Sequence, residues 1–225
     1  MSSTRFTKKK ATVDAKKTYP LDEAVALVKS TSAARFDGTV EVHVNLGIDT
    51  GKSDQNVRGS TMLPHGSGKT KKIMVFAESA KQEEAKSAGA DTVGGEELIA
   101  EIKNTGKFDA DVAIATPAMM PKLASVAKIL GPKGLMPSPK NQTITPNLAA
   151  AIAELKKGKM TIKNDPTGNI HVPVGKVSWD ALKLIENIRE LLSVLPKLKP
   201  SSSKGTFIKS VTLSSTMGPG IKINF

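Results

Sequence analysis

The sequence predicts a chain of the α/β and α+β classes: a discontinuous α+β domain built from both chain ends, plus an inserted Rossmann-like three-layer α/β domain. Near both ends, apolar and polar residues alternate, which is typical of half-buried antiparallel strands. In the middle, short apolar runs alternate with helical segments, which is typical of a parallel sheet covered on both faces. The length of 225 residues suits two domains. We predict a first domain of residues 1–66 and 159–225 and a second of residues 67–158.

The N-terminal part is predicted to contain one helix and one strand. From Pro20, PLDEAVALVKS places its apolar residues on one helical face and its acidic residues in the first turn, where the helix dipole favours them. TVEVHVNLGI then alternates strictly and predicts a strand with a polar outer face. GIDTGKSDQNVRGS is predicted to be a polar connection, and MSSTRFTKKK an exposed basic arm rather than a secretory signal.

The middle of the chain is predicted to form the parallel sheet and its helices. IMVFA and DVAIATP are short buried strands, and a third strand lies around Thr92 and Val93. The predicted helices are SAKQEEAKSAGA, GEELIAEIKN, PAMMPKLASVAKIL with Pro121 in its first turn, and PNLAAAIAELKKGK.

Alternation returns after about Lys159. The C-terminal part is predicted to contain, in order, a strand with Ile170, Val172 and Val174 on one face, the helix ALKLIENIRELLSVL, a strand around Val211 and Leu213, and a last strand ending at Phe225.

Composition favours a polyanionic partner. The formal net charge is +12, and Lys or Arg near a phosphate releases condensed counterions. The discontinuous domain holds +9 of this charge, +3 in residues 1–66 and +6 in residues 159–225, which makes it the better candidate for a nucleic-acid surface. A merely soluble basic protein is the alternative.

Several kinds of site and compartment are not expected. The chain has no cysteine, which excludes disulfides and thiolate sites. Its three histidines, His43, His65 and His171, are far apart in sequence, so a structural or RNA-facing role is favoured over metal binding. No apolar run approaches the ~20 residues of a membrane span. We expect no membrane association, no metal, no cofactor and a cytoplasmic location.

Three motifs each allow two interpretations. Gly66-Ser67-Gly68-Lys69-Thr70 resembles the end of a phosphate-binding loop, but the required first glycine is Leu63, and a strand rather than a helix is predicted to follow. The loop at 130–137, LGPKGLMP, suits either close approach to a phosphate backbone or a plain connection. Thr216-Met217-Gly218-Pro219 is either a simple turn or a contact to RNA through a hydroxyl, a soft apolar group and close backbone approach.

Nine motifs, which follow one another in order along the chain, are informative when they are taken together. They are FDGTVEVH (36–43), SDQNVRG (53–59), LPHG (63–66), AGAD (88–91), VGGEE (93–97), LGPKGLMPSPK (130–140), KNDPTGNIH (163–171), KGTF (204–207) and SSTMGP (214–219). Together they resemble one family, the ribosomal protein L-one family of the mobile side stalk of the large ribosomal subunit, with the bacterial form most similar. The resemblance runs from about Tyr19 to Phe225.

The resemblance implies a structural ribosomal protein without catalytic residues. Its implied partners are large-subunit rRNA, clasped by the first domain; the exiting E-site tRNA, with which the stalk moves; and the leader of its own messenger, whose translation bacterial members repress. Off the ribosome a monomer is expected. The family usually has Arg or Lys where this chain has Pro166. Carried onto this sequence, the implied RNA-binding residues are Phe36, Thr39, Glu41, Lys163, Ser214, Thr216, Met217 and Gly218.

Two rival functions stay open at this point. The GSGKT string and the α/β insertion suggest a nucleotide-binding enzyme, which nucleotide titration would reveal. The net positive charge is also compatible with a basic DNA-binding regulator, which competition between duplex DNA and rRNA would reveal.

Overall fold

The computed structural model describes residues 4–14, 16–106, 108–203 and 205–225. It confirms a mixed α/β chain with helices and several sheets. By its internal contacts, the chain divides into two compact units, one of Met1–Gly68 with Met160–Phe225 and one of Lys69–Lys159.

The strands of the described residues are numbered in chain order. They are β1 Thr39–Leu46, β2 Arg58–Met62, β3 Ile73–Phe76, β4 Thr92–Gly94, β5 Val112–Ala115, β6 Lys159–Lys163, β7 Asn169–Lys176, β8 Ile208–Ser215 and β9 Ile221–Ile223.

The α-helices are numbered in the same way. They are α1 Thr4–Lys10, α2 Leu21–Thr31, α3 Ser79–Ser87, α4 Glu96–Thr105, α5 Met120–Leu123, α6 Ala127–Leu130, α7 Leu148–Lys156 and α8 Ala181–Val194. None of these helices is long and apolar enough to cross a membrane.

The first unit is built on a four-stranded antiparallel sheet in the order β7-β1-β8-β9. Alternation in β1 sends Val40, Val42, Val44 and Leu46 into a core shared with α2 and α8. The residues between them point to the opposite face, where they are half-buried. This outer face is therefore a row of polar side chains on a rigid support.

The first unit contains a strand that sequence reasoning missed. The predicted polar connection at 47–60 holds a 3-10 turn, Ser53–Gln55, and the start of β2, which pairs with β6. Gly59 and Thr61 are the buried positions of β2, so its inner face has no large apolar side chain that would signal a strand. A Cβ at Gly59 would lie 2.6 Å from Cδ2 of Leu198, so a larger residue there would displace the Leu198 side chain.

The second unit is a three-stranded parallel sheet in the order β4-β3-β5, with an apolar cluster on each face. One cluster joins the sheet to α4 and residues 117–130, and the other joins it to α3 and α7. The single helix predicted over 117–130 is wrong. Short 3-10 and α segments replace it. Pro117 begins the first segment and Pro121 is the second residue of α5, where the missing proline N–H is tolerated in a first turn but cannot continue the preceding segment.

The predicted N-terminal basic arm is helical from Thr4 to Lys10. The ammonium group of Lys9 donates a hydrogen bond to the Ser30 carbonyl at 2.6 Å, which ties this helix to the end of α2.

Candidate nucleic-acid interface

One end of the four-stranded sheet gathers most of the predicted RNA-binding residues. It is formed by the loop before β1, the start of β1, the end of β8 and the turn into β9. The Thr216 amide donates to the Thr39 carbonyl at 2.9 Å, and the Thr39 amide donates to Oγ1 of Thr216 at the same distance. The Thr216 hydroxyl also lies 3.3 Å from the Thr39 carbonyl, to which it can donate. Thr39 itself is buried, so these two threonines join the segments of the site rather than presenting two free hydroxyls.

The turn after β8 presents Met217 to solvent. Met217 adopts a left-handed conformation, with φ 63°, and its side chain is 72% exposed. The Gly218 amide donates to the Ser215 carbonyl at 2.8 Å and closes the turn. A Cβ on Gly218 would lie only 2.3 Å from the buried Oγ of Ser215, so the packing of the turn itself favours glycine.

Phe36 lies in the loop before β1 and is 62% exposed, so it is not a core residue. The loop is held in place through the two residues that follow Phe36. The Asp37 carboxylate accepts hydrogen bonds from the Ser178 amide at 3.1 Å and the Ser178 hydroxyl at 2.8 Å. The Gly38 carbonyl accepts from the Val177 amide at 2.9 Å. An exposed aromatic ring on a fixed loop can stack against a nucleotide base at little entropic cost.

Glu41 and Ser214 lie on the outer face, where they are direct cross-strand partners. Both are half-buried, and they extend the site from the turn onto the face of the sheet. Seven of the eight predicted residues therefore share one end of this sheet, and Lys163 is the exception.

Lys163 lies near the other end of β1. It is the last residue of β6, and the next residue, Asn164, bridges to Ile170, which pairs with Val44. Val44 is five residues from Thr39, or roughly 17 Å along a strand. Lys163 is exposed and lines a groove of about 620 Å³ with Arg58, among other residues. The structure does not place it beside the other seven.

Sequence reasoning missed a basic residue at the sheet end. Lys176, at the end of β7, pairs with Thr39, and its ammonium group lies 3.3 Å from Oγ1 of Thr39 and 3.4 Å from the Asp37 carbonyl. Lys176 adds a positive charge to the sheet end. Of the seven predicted residues gathered there, only Glu41 has a charged side chain. No local motif marks Lys176, because only the pairing of β7 with β1 brings it to this place.

Two histidines that are distant in sequence are adjacent in space. His43 on β1 pairs with His171 on β7, and their Nδ1 atoms lie 2.7 Å apart. Nε2 of His43 lies 2.8 Å from Oγ of Ser214, and Nε2 of His171 lies 3.4 Å from the Asp165 carboxylate. Burial, and secondarily the neighbouring His171, lower the pKa of His43, although Glu41 opposes the shift. The described residues contain no cluster of three acidic or histidine side chains placed to hold a metal ion.

The two glycine-rich motifs contain no phosphate-binding geometry of the dinucleotide or P-loop kind. Gly66 and Gly68 have positive φ, and the next regular element is the strand β3, so no helix N-terminus converges on the GSGKT segment. In the 130–137 loop, the ammonium group of Lys133 lies 4.1 Å from the centre of the Phe108 ring, a cation–π contact within its own unit.

Comparison with known proteins agrees with this picture. Residues 28–219 match the profile of the Ribosomal protein L1p/L10e family. Three relatives called large ribosomal subunit protein uL1 align over nearly their whole lengths. The one from Thermosipho melanesiensis is 52% identical and covers 99% of this chain and 96% of its own. The one from Fervidobacterium nodosum is 51% identical and covers 99% of this chain and 94% of its own. The one from Mycoplasma capricolum is 50% identical and covers 99% of this chain and 98% of its own. The chain therefore belongs to the ribosomal protein L1p/L10e family, a family of structural ribosomal proteins rather than enzymes.

Proposed function

We propose that this protein is a constituent of the large ribosomal subunit that binds a folded segment of rRNA through the end of the four-stranded sheet. The observation that carries the proposal is the convergence of the loop before β1 and the turn after β8, which brings exposed Phe36 and Met217 to one end of the sheet together with Glu41 and Ser214. Family membership supports the ribosomal setting.

The chemistry of the sheet end suits RNA better than duplex DNA. Its outward-facing groups are an aromatic ring, a thioether, a carboxylate, a hydroxyl and the ammonium group of Lys176, rather than a continuous row of cations. Folded RNA is recognised through shape, unstacked bases and 2′-hydroxyl groups, and such small polar and apolar side chains can contact each of them. The basic surplus of the chain supplies the less specific attraction to phosphate.

We further propose that the two compact units are autonomous domains, the discontinuous one being the RNA-binding domain. It carries most of the net charge and all eight predicted RNA-binding residues. From the resemblance to the L-one family we also propose that the protein moves with the exiting E-site tRNA. We propose in addition that it represses translation of its own messenger by binding an RNA that resembles its rRNA site.

The test compares two exposed apolar residues of the first unit. Met217→Ala should weaken binding of the full chain to its rRNA fragment by about 1–2 kcal/mol through lost apolar contact. Leu182→Ala removes a similarly exposed side chain, 66% against 72%, from α8 and should leave binding unchanged. Equal losses from both variants, or equal affinity of the wild type for duplex DNA of the same length, would refute the proposal.

Autorepression is tested separately by translation in an extract. Excess protein should inhibit translation from its own leader, and added rRNA fragment should relieve the inhibition. Inhibition that the rRNA fragment cannot compete away would contradict a shared site.

A further inference from the structure

A line of hydrogen-bonding groups crosses three strands on the outer face of the sheet. It runs from Asp165, before β7, through His171 on β7 and His43 on β1 to Ser214 on β8. Three of its four members were not among the predicted RNA-binding residues, and the fourth, Ser214, is one of them. The line therefore connects a loop at one end of β1 with the proposed RNA site at the other.

Asp165 determines the direction of the first hydrogen bond. Its carboxylate accepts hydrogen bonds from the Thr167 amide at 2.9 Å, the Thr167 hydroxyl at 2.7 Å and the Asn169 amide at 2.6 Å. These hydrogen bonds, the one from the Thr167 hydroxyl first, hold the pKa of Asp165 well below its usual range. An ionised carboxylate has no hydrogen to donate, so Nε2 of His171 must carry the hydrogen that faces it.

The remaining directions follow when both rings are neutral. A neutral His171 with its hydrogen on Nε2 has a bare Nδ1, which can only accept. Nδ1 of His43 must then donate across the 2.7 Å contact, which leaves Nε2 of His43 bare. The hydroxyl hydrogen of Ser214 is consequently committed to Nε2 of His43, at 2.8 Å. Only the lone pairs of Ser214 remain for a ligand.

One added proton reverses the direction of the His171–His43 and His43–Ser214 hydrogen bonds without breaking either of them. The proton binds Nε2 of His43, and the hydrogen on Nδ1 of His43 passes to Nδ1 of His171. His171 then carries the positive charge beside the Asp165 carboxylate, and His43 stays neutral with its hydrogen directed at Ser214. The Ser214 hydroxyl becomes free to donate to a ligand.

The surroundings favour this placement of the charge. Among the described residues of the sheet, two other charged groups face His43 on the outer surface: Glu41 on its own strand and Lys222 on β9. Thr212, the β8 residue that pairs with both His43 and Lys222, is neutral. Burial opposes a charge on His43, consistent with its lowered pKa, whereas His171 is exposed and next to the carboxylate.

We infer that His43 and His171 are positioning residues that set the hydrogen-bond polarity of Ser214, making it an acceptor with both rings neutral and a donor after one proton is taken up. The inference rests on the proposed function, because it assigns the RNA group that meets Ser214. With Glu41 as its neighbour, neutral-state Ser214 forms a pair of acceptors, which suits a donor such as a ribose 2′-hydroxyl or a base N–H and disfavours a phosphate oxygen.

We call the four groups Asp165, His171, His43 and Ser214 the relay. The relay is tested without RNA, by NMR of the ¹⁵N-histidine-labelled full chain between about pH 8 and about pH 5. At the high end, His43 should be the Nδ1–H tautomer and His171 the Nε2–H tautomer. On acidification, His43 should change tautomer in the same step in which His171 becomes imidazolium. His65, whose partner is Glu186 at 2.6 Å, lies outside this line of groups and is the internal control, because its tautomer should not change together with that of His43. Separate titrations of His43 and His171, or an Nε2–H tautomer of His43 at high pH, would overturn the inference.

The effect on RNA is tested by comparing wild type with Ser214→Ala across the same pH range. At high pH, wild type should bind the rRNA fragment about threefold to tenfold more tightly than Ser214→Ala. This ratio of the two affinities should fall toward one at low pH. In the His43→Phe background the ratio should not depend on pH. A wild-type ratio that is also independent of pH would refute the role of the relay, even if the protein binds rRNA. Failure of the wild type to bind rRNA at any pH would refute the proposed function instead, and the NMR result would still decide the relay.

Discussion

Asn187 offers the sharpest prediction about the stability of the first unit. It is fully buried on α8, and its amide satisfies three backbone groups. Its oxygen accepts from the His65 amide at 3.1 Å, and its nitrogen donates to the Gly66 carbonyl at 2.9 Å and the Val174 carbonyl at 2.7 Å. Asn187→Ala removes all three hydrogen bonds. At about 1 kcal/mol each, the free energy of unfolding should fall by about 3 kcal/mol.

The unfolding of this unit can be followed by itself. The chain has a single tryptophan, Trp179, which packs against the core of the first unit, so its fluorescence during urea denaturation reports that unit. Glu186→Ala is the matched control, because it removes an exposed partner of His65 from the adjacent position and should cost less than about 1 kcal/mol. A loss for Asn187→Ala no greater than that of the control would refute the assignment of Asn187 as an anchor of the 65–66 loop.

Other changes test the site and its support. Thr216→Val should weaken rRNA binding, because it leaves the Thr39 amide without its acceptor. Thr216→Ser should keep the hydrogen bond and the affinity, and equal affinities of the two variants would contradict this role. Gly47→Ala should destabilise the first unit in the tryptophan assay, since its Cβ would lie 2.1 Å from the Thr206 carbonyl oxygen; an unchanged midpoint would show that the backbone yields. Lys69→Ala should not alter rRNA affinity, and an ATPase activity lost with it would restore the nucleotide-binding interpretation. A chain in which a short flexible linker replaces Lys69–Lys159 should give the circular dichroism of a folded protein and bind the rRNA fragment; folding without binding would move the site to the inserted unit.

Much of the fold could be predicted because its strands and helices have distinct periods. Alternation at Val40, Val42 and Val44 predicts both the strand and the face that enters the core, and the buried runs at β3 and β5 predict parallel strands. The failures have local causes. The start of β2 has glycine and small polar residues where a strand signal needs large apolar ones. Residues 117–130, which include Pro117 and Pro121, form short 3-10 and α segments instead of one helix.

The site could be predicted only as far as sequence motifs reach. The FDGTVEVH and SSTMGP motifs supply the residues of the sheet end, but not the mutual hydrogen bonds through which Thr39 and Thr216 join it. Lys176 and the His43–His171 pair depend on strand register between segments more than a hundred residues apart, which no local pattern encodes.

The central claim is that the sheet end around Met217 contacts rRNA. It is tested most directly by placing a photo-crosslinking side chain at Met217 and, in a second protein, at the similarly exposed Leu182, then irradiating each with the rRNA fragment. We predict a crosslink from position 217, confined to a few neighbouring nucleotides of the folded fragment and competed away by unlabelled wild-type protein, with little from position 182. Crosslinking that is stronger from position 182, or equal from both positions and spread along the RNA, would contradict the account.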